Sequence, residues 1–282
     1  VIAFFSSLCT ALIIVAAYIA KGGLLEVVLA YMAGKFVLGI GTAVVGFKEL
    51  HQTFGSHWWK TSFSNLPPLK ELAKFAFSTN ISSTIMMLVR DNEVLWVAYF
   101  LSPLEAGYAS AALAIINFVQ LPITPFISTT YPEINRAITQ KAWGQVKELL
   151  QKVTTISGAW TIGASLGLAL FGKWLLSLYG ADFVPAYPTM MIFLVGLGFA
   201  NIFFWNRPLL LSLKLPMVPY RASLYCGIVK VALSFLLVPA LGLNSEAWLL
   251  SAFFLISISI IVVCGLKEIK FRSQQEEQQA IL

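Results

Sequence analysis

The sequence predicts an all-α polytopic membrane protein with about eight transmembrane helices. Two observations carry this expectation. Apolar runs occupy 1–20, 24–47, 72–101, 107–131, 153–176, 187–205, 217–241 and 246–266, and each can hold the roughly 20 residues that a bilayer-crossing helix needs. The positive charges then fall almost wholly in, or within five residues of, every second gap: Lys48, Lys60, Lys70 and Lys74; Arg136, Lys141, Lys147 and Lys152; Arg207, Lys214 and Arg221; and Lys267, Lys270 and Arg272. The remaining gaps offer only Lys21 and Lys173. Cytoplasmic loops collect Lys and Arg, so 48–71, 136–152, 207–216 and the C-terminus are expected in the cytoplasm, with 21–23, 102–106, 172–186 and 242–245 outside. A multi-pass protein of the plasma (inner) membrane follows.

Composition points the same way, since 58% hydrophobic against 11% charged residues suits lipid better than a soluble core. The net charge of +6 does not imply nucleic acid, because the basic residues edge the apolar runs and form no single stripe. Cys9, Cys226 and Cys264 all lie in apolar runs without paired or metal-ligand spacing, and read as small buried hydrophobes. The chain begins at Val1 inside an apolar run with no basic n-region, so we expect it to be the later part of a longer chain.

The longest connection, 48–71, contains His51, His57, Trp58, Trp59, Pro67 and Pro68. A basic, aromatic link of this kind belongs at the membrane interface. It separates two helices over 1–47 from a group of six over 72–272, followed by a polar tail over 273–282 that is expected to be loosely ordered. Within 136–152, Trp143, Val146, Leu149, Leu150 and Val153 keep helical spacing among charges, which predicts a short amphipathic helix on the inner surface. No outward gap is long enough to build a folded extracellular domain. The activity therefore belongs within or between the helices.

Charged residues at membrane depth cost about 2.5–3.5 kcal/mol each on insertion scales and usually have a partner or a purpose. Lys35 and Lys230 sit near the middles of their runs, with no acid one helical turn away. A lysine stem is too short to reach either edge of the hydrocarbon core from there. Each is expected to face a wet, ligand-binding cavity or else to pair between helices. In the third run, Arg90, Asp91, Asn92 and Glu93 follow a polar stretch that includes Asn80. Either this helix continues to 101 and brings Asn80, Arg90, Asp91 and Glu93 to the cavity wall, or 90–93 is itself the outward turn. Asn117, polar within the fourth run, joins the candidate cavity residues.

Pro122, Pro125, Pro208, Pro216, Pro219 and Pro239 lie in or at the ends of the runs and should bend or break their helices. Ala30 with Gly34 and Thr42 with Gly46 are small residues four apart, a spacing that permits close helix packing. There is no Gly-rich phosphate loop and no HExxH, and His51 and His57 have no acidic partners in their loop. An enzyme is not expected, and neither is a cofactor.

The stretch 91–112, DNEVLWVAYFLSPLEAGYASAA, resembles the signature of bacterial polysaccharide exporters, the Wzx-type lipid-linked oligosaccharide flippases. In these an acidic residue opens an apolar strip ending in Phe-Leu-Ser, followed by Gly-Tyr and small residues. The stretch 178–187, LYGADFVPAY, is similar to their outward Tyr-Gly turn, and Tyr131-Pro132-Glu133-Ile134 to a Tyr-Pro element ending a helix. The resemblance covers roughly 72–271, with Glu93 where the family often has Asp. It implies the multidrug/oligosaccharidyl-lipid/polysaccharide exporter fold, two six-helix bundles around a central cavity. Residues 1–47 would be the last two helices of the first bundle, 48–71 the inter-bundle connection and 72–272 the second bundle. The implied function is flipping an undecaprenyl-pyrophosphate-linked oligosaccharide outward for O-antigen, capsule or exopolysaccharide biosynthesis. Its implied partners are that lipid-linked oligosaccharide, membrane lipid and other polysaccharide-assembly membrane proteins, not nucleic acid. A drug or cation antiporter shares the fold, and an intramembrane polysaccharide polymerase or ligase would also need basic residues at depth.

Single cysteines at Ser56 and Ser273, with the native cysteines removed, should resist an impermeant maleimide in intact cells and react after permeabilisation. Labelling of both from outside would reverse the orientation.

Overall fold

The computed structural model describes residues 2–55, 68–69, 87, 89 and 92–281, and all the regular structure among them is helical. Helix is the form in which an isolated segment satisfies every backbone donor and acceptor without water, as a lipid environment demands. The chain divides into two compact units, Val1–Lys74 and Phe75–Leu282.

The first unit is a helical hairpin of α1 (Ile2–Ile19) and α2 (Leu24–Phe54). Glu26 closes the start of α2 by accepting from the Gly23 N–H at 2.7 Å. The two helices meet through small residues. Ser6 donates to the Gly34 carbonyl at 2.7 Å, and a Cβ on Gly34 would fall 1.7 Å from the Thr10 hydroxyl. Ala30, one turn before, is buried. The Thr42 and Gly46 pair does not pack in this way: among the described residues nothing lies within 4 Å of a Cβ at Gly46. Helix α2 runs past the expected boundary at 47 and ends at Gly55, whose φ of 79° suits glycine. The first part of the expected connection is thus helical, while 56–67 lies outside the described residues.

The second unit contains α3 (Glu93–Phe100), α4 (Pro103–Gln120), α5 (Thr124–Thr139), α6 (Trp143–Ser177), α7 (Tyr187–Ile202), α8 (Asn206–Ser212), α9 (Met217–Leu241) and α10 (Leu243–Ile281). Short 3-10 turns at Leu121–Ile123 and Ala181–Ala186 precede α5 and α7. The chain turns at Leu101–Ser102, where the Ser102 hydroxyl caps α4 by accepting from the Glu105 N–H at 3.2 Å and Pro103 takes the first helical position. Before α3, Asn92 N–H donates to the carbonyl of Met87 at 3.0 Å, a wide turn five residues back instead of the four of a regular helix. Pro122 and Pro125 bend the passage from α4 to α5, Pro208 lies in the short α8, and Pro216 precedes α9.

Six stretches are long and apolar enough to cross a membrane: Leu25–Phe54, Pro103–Thr139, Trp143–Ser177, Ala181–Ser212, Met217–Leu241 and Leu243–Glu276. Phe5–Ile19 is apolar but shorter, and most of the expected third span lies outside the described residues. The protein is therefore an all-α polytopic membrane protein with six such helices among the described residues; the expected count of eight extends beyond them. Leu170, 78% exposed, and Leu236, 70% exposed, show the apolar outer face that lipid rather than water would cover.

Two expectations change. The amphipathic segment starting at Trp143 is no separate surface helix but the first turns of α6, because no proline interrupts 143–177 and Val146, Leu150 and Val153 are buried along it. The tail is not loose either. Its Gln, Glu and Ala residues are good helix formers, so α10 continues through 273–281. Glu276 fixes it to the start of α6, accepting from the Trp143 indole at 2.7 Å and pairing with Lys141 at 2.9 Å.

The interior is packed where α4, α7 and α10 meet, around Ile116, Met190, Phe193, Leu197 and Leu250. A second cluster joins Ile134, Val146, Leu150, Trp205, Leu209, Leu213, Ile261 and Ile269. Helices α7 and α10 touch backbone to backbone: a Cβ on Gly196 would stand 2.4 Å from Ser251 Cα. Ser251 in turn donates to the Ile192 carbonyl at 2.6 Å. Small residues and hydroxyls are the means by which helices associate in lipid, where no hydrophobic force separates side chains from solvent.

Replacing Gly196 by Val should overpack this contact and cost about 1–3 kcal/mol, read as a lower thermal midpoint in detergent. Gly163→Ala, with nothing within 4 Å of the new methyl, should leave the midpoint unchanged or raise it. Equal midpoints for Gly196→Val and the unmodified protein would refute the close approach.

Candidate functional site

Lys230 is a costly residue in this fold, a cation in an apolar helix with only 2% of its surface exposed. Acids from two other helices reach it. Its ammonium donates to Glu93 Oε2 at 2.8 Å and to Glu246 Oε1, joining α9 to α3 and α10. Glu93 is 1% exposed and Glu246 0%. Glu246 lies in the first turn of α10, just past the turn at Gly242 (φ 75°), where the positive end of the helix dipole favours an acid. Glu93 opens α3 directly after Asn92. One turn along α9, Ser234 bonds back to the Lys230 carbonyl at 3.0 Å.

The network is incomplete in one respect. Glu93 Oε1 and Glu246 Oε2 are buried and have no hydrogen-bond partner among the described residues. In their ionised forms, two carboxylates against one ammonium leave one formal negative charge over. Burying an ion costs several kcal/mol even after the protein relaxes, and only good pairing offsets it. A proton or a small cation between the two carboxylates would complete both the charge and the bonding.

The expected cavity residues are thus distributed as follows. Lys230 ends in an ion-pair network and not at an open cavity, because Glu93 and Glu246 take its ammonium; Glu93 is likewise enclosed and not on a wet wall. Lys35 is exposed in the first unit, with its ammonium 5.0 Å from the centre of the Tyr31 ring, a cation–π contact within one helix. Asn117 is exposed on α4, one turn before Gln120. Asn80, Arg90 and Asp91 lie outside the described residues. Sequence reasoning missed Glu246, which it used only to mark the start of a span. A lone acid at the edge of an otherwise apolar run was the available signal.

Among the described residues no group of three or more His, Cys, Asp or Glu is arranged to hold a metal ion. Comparisons of the chain with protein-family models, with curated proteins and with solved structures find no match.

Lys230→Met strands two buried carboxylates and should cost about 3–5 kcal/mol. Adding Glu93→Gln and Glu246→Gln removes the charge and should restore most of that loss. Thermal unfolding in detergent measures both. A triple variant no more stable than Lys230→Met would show that the three residues do not act as one network.

Proposed function

We propose that the protein is a transporter, not an enzyme, that flips an undecaprenyl-pyrophosphate-linked oligosaccharide from the inner to the outer leaflet of the plasma membrane for polysaccharide biosynthesis. On this reading eight spans form the later part of a two-bundle exporter, with the C-terminus in the cytoplasm. The observation that carries it is the place of Glu93. The acid within the stretch resembling the exporter signature is the same acid that is buried against Lys230 and Glu246. Buried ionisable groups between membrane helices commonly serve transport pathways and relays. Here they tie the first helix of the second unit's described part to its last two. Lys35, exposed in the first unit, is the cation we assign to the pyrophosphate.

One observation favours a second reading, a drug or cation antiporter of the same fold. The buried oxygens Glu93 Oε1 and Glu246 Oε2 have no hydrogen-bond partner among the described residues, and an exchangeable proton or cation could occupy the place between them.

Purified protein in proteoliposomes should make a fluorescent lipid-linked oligosaccharide, initially on one leaflet, accessible to an impermeant reagent on the other. Lys35→Gln should slow this about tenfold or more, and Lys35→Arg should retain most of it, since the charge that faces phosphate persists. Vesicles behaving like protein-free controls would sink the flippase reading. Movement of a cationic dye in the same vesicles would then favour the antiporter.

A further inference from the structure

We propose that the junction of α3, α9 and α10 is a proton-binding site, in which Glu93 and Glu246 share one exchangeable proton beside the Lys230 ammonium. Each acid gives one oxygen to that ammonium, so the two carboxyl groups stand within about two hydrogen-bond lengths of each other. They are close enough to bond directly once a hydrogen lies between them. The other oxygen of each, Glu93 Oε1 and Glu246 Oε2, is buried without a hydrogen-bond partner among the described residues.

Charge decides what belongs there. One ammonium balances one carboxylate, and a second ionised carboxylate would lie unbalanced in an interior where both acids are at most 1% exposed. Among the described residues, the charges acting on Glu93 are those of Lys230 and Glu246. On α9, Arg221 and Tyr225 are exposed, the Ser234 hydroxyl donates to the Lys230 carbonyl at 3.0 Å, and the Cys226 thiol is of a kind neutral at about pH 7. On α10 the next charged residue after Glu246 is Lys267, about six turns on. On the packed neighbours, Glu105 of α4 accepts from Ser102 at 3.2 Å, and Tyr187 of α7 donates to the Ala169 carbonyl at 2.8 Å.

Two carboxyl groups that share one site hold a proton between them because both cannot ionise, and a buried glutamic acid can keep its proton to about pH 8–9. A metal ion fits less well. Calcium and magnesium take six or more oxygens, whereas two are free here and no third acid joins them among the described residues. The proton arrives from water and forms an O–H bond on one carboxylate, directed at an oxygen of the other. On release that bond breaks, the proton returns to water, and repulsion between the two charged acids loosens α3 from α10. The inference names an ion for the antiporter reading, and it rests on that reading only for what the proton would drive.

The test is infrared spectroscopy of the full chain purified in detergent at about pH 7, where exposed glutamates are ionised. The unmodified protein should show the carbonyl stretch of a protonated carboxyl, shifted in heavy water. Either Glu93→Gln or Glu246→Gln should abolish that band, since each leaves one carboxylate for one ammonium, while Glu133→Gln, exposed on α5, should keep it. Should a single variant fail to fold, the neutral Lys230→Met/Glu93→Gln/Glu246→Gln protein takes its place and must lack the band. A band lost in only one of the two single variants means an isolated acid and overturns the shared site. No band in the unmodified protein, or a band that sodium or magnesium chloride removes, overturns the proton. Above about pH 5 the folded chain holds one proton more than the unfolded chain, so its folding equilibrium constant should fall about tenfold per pH unit relative to Glu93→Gln until the proton leaves. Equal pH dependence of the two proteins also overturns the site. None of these readouts involves transport, so their failure leaves the flippase reading standing, and inactive vesicles leave the proton site standing.

Discussion

A single buried ammonium sets the terms for the second unit. Lys230 cannot stand alone among apolar helices, so α3 and α10 must each present a carboxylate at the same place. This fixes which face of α9 turns inward and which turns of α3 and α10 meet it. Apolar contacts between lipid-embedded helices discriminate weakly among registers, because a leucine packs almost as well one turn away. An ion pair does not tolerate that shift. Specificity from buried polar groups is a general use of such pairs, and here three helices share one.

The network also differs from the small-residue contacts in what it permits. Gly196 against Ser251 and Gly34 against Thr10 hold helices at one distance and offer no second state. The trio has unpaired oxygens and, with both carboxylates ionised, one negative charge over, so its energy depends on whether a further proton or cation is present. Rigid contacts define the bundle, and the charged contact is where its arrangement can respond to an ion or to a ligand.

The architecture was legible in the sequence wherever local pattern decides it. Six of the apolar runs became helices long enough to span a bilayer, although the fourth starts at Pro103 and not at 107. What sequence could not give was partnership at long range. Lys230 has no acid one turn away on its own helix, and its partners come from 16 and 137 residues distant. Continuity was misjudged too. Charges at the starts of α6 and along the end of α10 signal water, yet charged residues with high helix propensity do not end a helix.

The lengths of α6 and α10 have a mechanical consequence. With 35 and 39 residues, they measure ~52 and ~58 Å at the helical rise, against a hydrocarbon core of about 30 Å. Each is a rod with a substantial part outside the bilayer, and Glu276, Trp143 and Lys141 clamp the outer ends together. Such a length gives a long lever arm. Rotating α10 by about 10° around its first turn, where Glu246 meets Lys230, sweeps the far end through ~10 Å, given that length. The clamp at Glu276, Trp143 and Lys141 holds the end of α10 where any such rotation would be largest.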